Sequence, residues 1–410
     1  MPLTGQLERL QALLAQIVPA NPFYGSKLPG RVDSLEEFFQ TVPFTRKQDL
    51  MEDQRRFPPF GSNLTYPLSR YTRFSQTSGT SGMPMRWLDT PESWAWMLDN
   101  WEVVFRTAGV EAGDSIFFAF SFGPFLGFWT AFESAVRMGC LAIPGGGMRS
   151  TARLRAILDM RAAVLCCTPT YAIHLAEAAA AEGIDLSHSP VRRIIVGGEP
   201  GGSIPGTRAT MERLWPGARV VDHHGMTEIG PVSYGCPARP GLLHVIERAF
   251  IAEIIDPETG VHVPRGDRGE LVLTNLGRLG RPLVRYRTGD VVRQSMDDRC
   301  ACGSSDMALE GGIVGRTDDM VVVRGVNIYP TAVEQIVRGF GEIAEYQAHI
   351  GQKGAMTEMH LVIEPRDSVR NAAALVAAVE KALQTAFNLR IPVATAPSGS
   401  LPRAELKARR

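Results

Sequence analysis

Four short polar stretches of this 410-residue sequence carry residue types that can bind phosphate and metal ions. The first is TSGTSG at residues 77–82, where hydroxyls alternate with glycines and backbone amides can approach an anion closely. It lacks the lysine of a G-x-x-x-x-G-K-[ST] loop, and the sequence has no G-x-G-x-x-G fingerprint. We therefore predict a phosphate site of another kind, with a flexible Ser/Gly surface loop as the alternative.

The other three stretches are DHHGMTE at residues 222–228, RYRTGD ending at Asp290, and GRTDDMVVVRGVNIYP at residues 315–330. DHHGMTE follows the strand-like ARVV. On its own, a Thr-Glu pair after a strand is more typical of a helix cap than of a metal site.

A set of sulfur and imidazole side chains suggests a second kind of site. Cys236 and His244 form C-x7-H, and Cys300 and Cys302 form C-x-C. Three thiolates and one imidazole suit tetrahedral Zn²⁺ in a closed structural site. The alternative is that the spacing arose by chance and that these cysteines simply pack in the core. The remaining cysteines, Cys140, Cys166 and Cys167, lie in apolar strands and are predicted to be core residues.

Composition excludes several classes of function. The chain is 44% hydrophobic and 21% charged, so it can bury a full core, and its 43 basic residues balance 43 acidic ones. No net charge attracts nucleic acid or an anionic membrane. The N-terminal segment is helix-like rather than a secretion signal, and no window approaches the roughly 20 apolar residues of a membrane span. Six cysteines in so long a chain fit a reducing compartment, so we predict a cytoplasmic protein without nucleic-acid or membrane partners.

The elements that must position these residues alternate in type. Between residues 115 and 229, apolar runs such as SIFFAF, AAVLCCTP and RRIIVGG alternate with helical patterns, which predicts a mainly parallel, layered α/β sheet. After about Pro240 the sequence becomes β-rich and predicts an antiparallel or barrel-like subdomain. From Asp318 the order is strand, helix, two strands, helix and strand, which predicts a small α+β domain. We place the domains at residues 1–316 and 317–410.

In this order, the four polar stretches resemble the signature motifs of the adenylate-forming ligases. Further segments resemble the phenylacetate-CoA ligase branch nearly end to end: PFTRKQDLMED, SFGPFLGFW, TPTYAIHLAEAA, VGGEP, GLLHVIERAFIAEIIDPETG and GSLPRAELKARR. The resemblance implies an α/β N-terminal domain and a small mobile C-terminal domain. It also implies that MgATP activates a carboxylic acid as an acyl-adenylate, and that the acyl group passes to coenzyme A with release of AMP and pyrophosphate.

The resemblance assigns nucleotide contacts residue by residue. The segments that would wrap the β- and γ-phosphates and border the adenine are Thr77, Ser78, Gly79, Thr80, Ser81 and Gly82, and Gly198, Glu199, Pro200, His223 and His224. Asp290 would accept hydrogen bonds from both ribose hydroxyls, and Arg316 would meet the ribose or a phosphate. For residues 198–200 the alternative is an ordinary strand-to-helix turn, and for Arg316 it is a surface ion pair.

The resemblance also assigns catalytic roles. Glu228 would bind Mg²⁺, Thr227 would hydrogen-bond the α-phosphate, and the ammonium of Lys407 would bridge the substrate carboxylate and the α-phosphate. Asp318 would be the hinge about which the C-terminal domain rotates between half-reactions. The alternative for Lys407 is a solvated, frayed tail.

The sequence departs from the family pattern at three positions. Met83 stands where many relatives have a lysine, which removes one charge from the phosphate loop. Arg86 is a candidate replacement, and the alternative is a surface arginine with no phosphate role. Leu406 replaces the glycine before the catalytic lysine, which puts the positioning of Lys407 in doubt. His224 stands where relatives have a tyrosine against the adenine, and its planar ring can stack similarly.

The acyl group is expected between the aromatic segment at residues 120–129 and the glycines at residues 145–147. The residues expected to face an aromatic acid are Phe122, Phe125, Gly127 and Gly146. Aromatic side chains at a sheet edge are otherwise typical of the core.

Two other functions remain open. The adenylate could pass to a carrier-protein thiol or an amine, or the protein could be a nucleotide-binding homologue with weakened catalysis, as Met83 and Leu406 suggest. The resemblance also leaves a homodimer open.

Overall fold

The N-terminal region is a set of helices followed by one hairpin. The structure is a computed structural model that describes residues 3–77, 84–324, 326–353 and 356–402. The elements of this region are α1 (Leu3–Ile17), α2 (Leu35–Thr41), α3 (Lys47–Arg56), a 3-10 turn (Leu68–Arg70), β1 (Arg73–Gln76), β2 (Arg86–Asp89) and α4 (Pro91–Thr107). The amphipathic pattern of α1 is confirmed, since Leu10, Leu14 and Ile17 on one face are fully buried.

The predicted strand-helix alternation forms the next region. Its elements are β3 (Ser115–Phe118), α5 (Leu126–Arg137), β4 (Leu141–Pro144), α6 (Ser150–Asp159), β5 (Val164–Cys167), α7 (Pro169–Ala181), β6 (Arg193–Val196), α8 (Pro205–Leu214) and β7 (Arg219–Asp222). The five strands are parallel in the order β4-β3-β5-β6-β7. The chain therefore reverses direction across the sheet between β3 and β5, and the carboxyl ends of all five strands meet at one edge.

Helices cover both faces of this sheet. Ile116, Val164 and Ile195 pack toward α4 and α5, whereas Phe117 and Leu165 pack toward α6, α7 and α8. Because successive strand residues point to opposite faces, these near-continuous apolar runs are fully buried on both sides. The predicted layered α/β fold is confirmed.

The β-rich region folds as antiparallel sheets. Its strands are β8 (Gly225–Met226), β9 (Gly230–Pro231), β10 (Ser233–Gly235), β11 (Leu242–Val245), β12 (Phe250–Ile255), β13 (Arg268–Asn275), β14 (Tyr286–Arg293), β15 (Ala308–Glu310) and β16 (Gly315–Arg316). They pair as the hairpin β8-β9, the sheet β10-β11-β15 and the sheet β12-β13-β14-β16. The antiparallel character is as expected, and it takes the form of two larger sheets beside the parallel one.

The C-terminal region has its own apolar core. Its elements are β17 (Val321–Val323), β18 (Val326–Ile328), α9 (Pro330–Val337), β19 (Ile343–Lys353), β20 (Met356–Pro365), α10 (Ala372–Phe387) and β21 (Val393–Thr395). Val337, Leu361, Val379 and Ile391 lie at the centre of this core. A strand at β18 was not expected, because the sequence had suggested one strand before α9. The turn residue Arg324 has φ near +49°, which turns the chain back into a short hairpin. Among the described helices, none has the length and apolar character needed to cross a bilayer.

Candidate active site

Loops at the carboxyl edge of the parallel sheet bring the predicted motifs together. The turn after β6 holds residues 197–200, and residues 222–224 end β7 and lead into β8. The predicted acyl segment and the glycines at residues 145–147 follow β3 and β4. In open α/β sheets the crevice at this edge, next to the reversal of strand order, is where ligands bind.

Asp290 is the centre of a three-residue contact. It lies on β14 directly opposite Arg316 on β16, and Arg316 Nη1 donates to Asp290 Oδ1 at 2.9 Å. His224 Nε2 lies 3.0 Å from Asp290 Oδ2. The side chains of Asp290 and His224 are only 8% and 11% exposed. Since the carboxylate can only accept, Nε2 of His224 carries the proton that joins the two groups. His224 Nδ1 is buried and has no hydrogen-bond partner among the described residues.

Arg316 also forms an ion pair with Asp318, the predicted hinge residue. Its Nε and Nη2 donate to the two carboxylate oxygens of Asp318 at 2.8 and 3.1 Å. Burial alone would lower the pKa of Arg316, but the hydrogen bonds to Asp318 and the charge of Asp290 raise it. Arg316 is therefore a permanent cation held between the candidate ribose carboxylate and the candidate hinge.

His223 faces away from these groups. Its ring packs on Trp101 with a centroid distance of 4.3 Å, and Nδ1 donates to the Ser233 carbonyl at 2.8 Å. Burial lowers the pKa of His223 to about 4, so the ring is neutral. Beside it, burial raises the pKa of Asp222 to about 6, although the carboxylate accepts from Ser203 Oγ at 2.5 Å. These contacts fix the end of β7.

Thr227 and Glu228 form the turn between β8 and β9. Glu228 is 8% exposed, and burial raises its pKa, whereas a hydrogen bond to its own amide and the charges of Lys47, Arg278 and Arg316 act to lower it. A buried carboxylate ringed by cations is suited to a hard divalent metal ion bound to a polyanion.

Glu199 fixes the turn after β6 by contacting the neighbouring helix. Its Oε1 accepts from the Thr170 amide at 2.8 Å and from the Thr170 hydroxyl through a very short bond, so it anchors the turn to the first residues of α7. Gly198, at the centre of the turn, has φ near +88°, which favours glycine. Pro200 follows at the exposed rim of the same turn. The turn is thus held against α7, with Gly198 and Pro200 exposed.

Of the predicted phosphate-binding segment at residues 77–82, the structure describes only Thr77. The Thr77 hydroxyl accepts from the Met85 amide at 3.0 Å, which closes the hairpin of β1 and β2. Ser78, Gly79, Thr80, Ser81, Gly82 and Met83 lie outside the described residues. Arg86, the candidate replacement for the missing lysine, extends toward the Pro59 carbonyl at 3.4 Å.

The acyl segment is an aromatic cluster above β3 and β4. Phe122 adopts φ near +50°, and its ring lies 5.0 Å from Trp129 and 5.5 Å from Phe132. A Cβ added at Gly146 would lie 3.2 Å from the Phe122 ring, so the two loops touch. Phe125 contacts Phe128 at 5.8 Å, and a Cβ at Gly127 would have no neighbour within 4 Å among the residues that the structure describes. Open space therefore borders the cluster at the start of α5.

The cysteine and histidine set is assembled as expected. The ligand atoms of Cys236, His244, Cys300 and Cys302 all lie within 4.8 Å of one another. Cys236 Sγ is 3.5 Å from Cys300 Sγ, and Cys302 Sγ is 3.4 Å from His244 Nε2. His244 Nδ1 donates to the Asp306 carbonyl at 3.1 Å, and burial lowers the pKa of His244. The neutral ring therefore presents the Nε2 lone pair to the thiols.

Lys407 and Leu406 lie outside the described residues. Residues that the sequence did not single out are Arg278, Asp89 and Lys47. Arg278 hydrogen-bonds the carbonyls of Thr227 and Glu228, and the charge of Lys47, at the start of α3, acts on Glu228 and Asp318. A usable signal existed in the sequence, since four arginines at positions 278, 281, 285 and 287 stand among buried apolar residues and must find partners.

Two family models match the chain: the AMP-binding enzyme model over residues 75–277, and the AMP-binding enzyme C-terminal domain model over residues 325–410. The phenylacetate-coenzyme A ligase of Thermus thermophilus is 33% identical over 88% of this chain and 80% of that protein. The enzyme of the same name from Pseudomonas putida is 30% identical over 98% of this chain and 92% of that protein.

Among solved structures, 2-hydroxyisobutyryl-CoA ligase in the postadenylation state matches with a TM-score of 0.93 and 31% identity, over 99% of this chain and 88% of that one. The same ligase in the thioesterification state, with 2-HIB-AMP and CoA, matches with a TM-score of 0.70. The sequence resemblance is confirmed, and the chain belongs to the phenylacetate-coenzyme A ligase family of AMP-binding enzymes.

Proposed function

We propose that this protein is an AMP-forming acid-thiol ligase that works in two half-reactions. In the first, a carboxylate oxygen of the acid attacks the α-phosphorus of ATP and pyrophosphate leaves. In the second, the sulfur of coenzyme A attacks the acyl carbon, AMP leaves with the bonding electrons, and the thiol proton passes to solvent. The observation that carries this proposal is the convergence of Glu228, Asp290 and Arg316 on one crevice at the carboxyl edge of the sheet.

The crevice supplies a separate contact for each part of the nucleotide. The backbone turn at residues 197–200 would border the adenine, and Asp290 would accept from the ribose hydroxyls. Arg316 is already fixed to Asp290 and would add a positive charge toward ribose or phosphate. Thr227 would donate to the α-phosphate, and residues 77–82 would surround the departing pyrophosphate.

The residues present fit a magnesium ion. Glu228 offers buried carboxylate oxygens, which are the ligands that Mg²⁺ prefers, and the nearby cations suit a polyanionic partner. Bound there with ATP, the ion would neutralise charge on the phosphates. Lys407 would stabilise the negative charge that develops as the acid attacks, which is the role that the family resemblance gives it.

The two half-reactions would use two arrangements of the C-terminal domain about Asp318. The difference between the TM-scores to the postadenylation and thioesterification states of one ligase, 0.93 against 0.70, supports this proposal. The described arrangement would be the one used in the first half-reaction, and rotation would then admit coenzyme A. Domain limits at residues 316 and 317 stay a prediction.

The substrate is proposed to be an aromatic or related small carboxylic acid. The named relatives act on phenylacetate, and a structural neighbour acts on 2-hydroxyisobutyrate. The open space beside Gly127, next to the aromatic cluster of Phe122 and Phe125, is the proposed position of the acyl group.

We also propose a structural zinc ion at the Cys236, His244, Cys300 and Cys302 cluster. Ligands bound tetrahedrally at about 2.0 to 2.3 Å from zinc lie roughly 3.5 to 3.8 Å apart, close to the 3.4 and 3.5 Å contacts. All four positions would be filled by protein, so the ion would stabilise the sheets and take no part in the reaction. A cytoplasmic location and a homodimer stay predictions.

The test is pyrophosphate release from MgATP across a panel of aryl and short aliphatic acids, with and without coenzyme A, beside Lys407→Ala. We expect release that depends on one class of acid, rises with coenzyme A and falls at least about a hundredfold in the variant. Release that is indifferent to coenzyme A would favour a carrier-protein thiol or an amine as the acceptor. ATP binding without release for any acid would favour a catalytically weakened homologue.

A further inference from the structure

The guanidinium group of Arg278 links three separate segments of the chain, and one of them is the candidate metal-binding turn. Arg278 lies in the loop between β13 and β14, and neither its side chain nor that of Asp89 exposes any surface. Its Nε and Nη2 donate to the two oxygens of Asp89, each at 2.7 Å. Its Nη1 donates to the carbonyls of Thr227 and Glu228 at 2.8 and 2.9 Å.

Asp89 is the last residue of β2, the strand that follows residues 78–83 in the chain. The two carbonyls belong to the turn whose Glu228 side chain is the candidate magnesium ligand. The Arg278 group therefore connects the hairpin that carries the phosphate loop to the turn that carries the carboxylate. Rigid supporting contacts of this kind commonly decide how well a metal ligand is oriented.

We propose that Arg278 is a positioning residue for the first half-reaction, and that it holds the Thr227 and Glu228 turn in register with the phosphate-loop hairpin through Asp89. The proposal rests on the proposed function of this crevice. Only arginine supplies this pattern, since a planar fork can bind both oxygens of a carboxylate while a third N–H group serves the carbonyls. A lysine at this position would keep the charge and lose the geometry.

The chain contains a matched control. Arg281 is also fully buried, and it lies over the same indole ring, with its guanidinium 4.6 Å from the Trp87 ring centroid compared with 5.2 Å for Arg278. Its two bonds run instead to the carbonyls of Arg86 and Phe60, both at 2.8 Å. Arg281→Lys therefore disturbs the same buried region without touching the Thr227 and Glu228 turn.

The first experiment measures ATP affinity by calorimetry with Mg²⁺ and with EDTA, for the full chain and for Arg278→Lys and Arg281→Lys. We expect Mg²⁺ to tighten ATP binding in the wild-type protein and in Arg281→Lys. In Arg278→Lys the gain should shrink by about tenfold or more, with binding in EDTA unchanged within about twofold. An undiminished gain in Arg278→Lys would overturn the proposal.

The second experiment separates the half-reactions, using phenylacetate or 2-hydroxyisobutyrate, whichever supports pyrophosphate exchange in the wild type. We expect Arg278→Lys to slow acid-dependent exchange by about 10- to 100-fold. Conversion of the preformed acyl-adenylate to the thioester should stay within about twofold of wild type. Equal losses in both steps, matched by Arg281→Lys, would show a merely structural role and sink the idea.

Loss of folding in Arg278→Lys is checked by thermal denaturation. If Arg278→Lys does not fold, the double variant Asp89→Asn/Arg278→Gln is used in its place. It replaces the charged pair by a neutral, hydrogen-bonded pair that leaves no buried charge. We expect this double variant to show the same two effects: a smaller gain in ATP affinity from Mg²⁺, and slower pyrophosphate exchange with unchanged thioester formation. The absence of both effects would contradict the proposal. If the wild type shows no acid-dependent exchange, the proposed ligase function fails, while the Mg²⁺ dependence of ATP affinity still decides the role of Arg278.

Discussion

The hydroxyl of Thr207 on α8 donates a hydrogen bond of 3.2 Å to Glu334 Oε1 on α9, and both side chains are buried. Glu334 keeps two further partners within the C-terminal region, because the Tyr346 hydroxyl donates at 2.6 Å and Arg338 lies at 3.3 Å. Separation of the two helices would thus break this hydrogen bond without leaving the carboxylate unpaired. Such an interface would suit the rotation of the C-terminal domain proposed above.

The backbone at Gly206 lies close to the end of α9, so a side chain introduced there would test this interface. A Cβ at this position would lie 3.1 Å from the Arg338 carbonyl carbon and the Gly339 nitrogen. We expect Gly206→Val to disfavour the described arrangement and to slow pyrophosphate exchange by at least about tenfold, equivalent to about 1.4 kcal/mol. Thioester formation from a preformed adenylate should be unchanged or faster. Gly341→Val, where an added Cβ has no neighbour within 4 Å, is the control, and a matching loss there would remove the argument.

Two adjacent buried groups have opposite effects on stability as the pH changes. The pKa of Asp222 is raised by burial from 3.8 to about 6, so the folded state holds a proton that the unfolded state has lost, and stability falls as pH rises from 4 to 6. The pKa of His223 is lowered by burial from 6.5 to about 4, so stability rises as pH increases from 4 to 6.5. Each effect is about 3 kcal/mol, and they largely cancel.

Single variants at these two positions should therefore change how the free energy of unfolding depends on pH, because each variant removes one of the two opposing effects. Relative to the wild type, we expect the free energy of unfolding of Asp222→Asn to rise by about 3 kcal/mol between pH 4 and 6.5, and that of His223→Gln to fall by a similar amount. The measurement is urea denaturation at several pH values. Parallel pH profiles for the two variants would contradict the assignment.

The cysteine and histidine cluster predicts one zinc ion per chain. We expect elemental analysis of Cys302→Ser to show loss of the metal, and its melting temperature to fall by about 5 °C or more, because metal binding to the folded state alone adds to stability. Cys140→Ser, at a cysteine outside the cluster, should retain the zinc. Metal-free wild-type protein with an unchanged melting temperature would instead indicate that the four side chains only pack together.

The contact between His224 and Asp290 predicts an effect confined to the nucleotide. We expect His224→Phe to raise the KM for ATP by about tenfold and to leave the KM for coenzyme A unchanged, since the ribose carboxylate would lose the group that orients it. The control is His262→Phe, because His262 makes the same kind of bond to Glu253 at 2.9 Å, away from the crevice. A lower KM for ATP in His224→Phe would show that the imidazole competes with the ribose.

Local patterns were enough to predict most of the architecture. Alternating apolar runs and helical periods located β3 to β7. The polar stretches after β6 and β7 lie at one edge of the sheet, because parallel strands end at a common edge. The spacing of Cys236, His244, Cys300 and Cys302 anticipated a cluster that only folding could assemble.

The orientation of individual side chains could not be predicted. Glu199 and His223 belong to the right motifs, yet one anchors a helix and the other packs on Trp101. Arg278 and Asp89 stand 189 positions apart, and no local pattern relates them. Buried ion pairs between distant positions depend on how the elements pack in the folded chain, and a short window of sequence does not contain that information.

The cysteine cluster also has a topological consequence. Cys236 and Cys300 are 64 positions apart, yet their sulfur atoms lie 3.5 Å from each other, so the intervening chain leaves one point and returns to it. The segment between the two cysteines contains β12, β13 and β14, and therefore also Asp290. A bound ion would hold its two ends together in the folded state, and unfolding of this segment would require release of the ion. The ribose carboxylate would then stand on a tethered platform anchored beside β10, whichever way the C-terminal region turns.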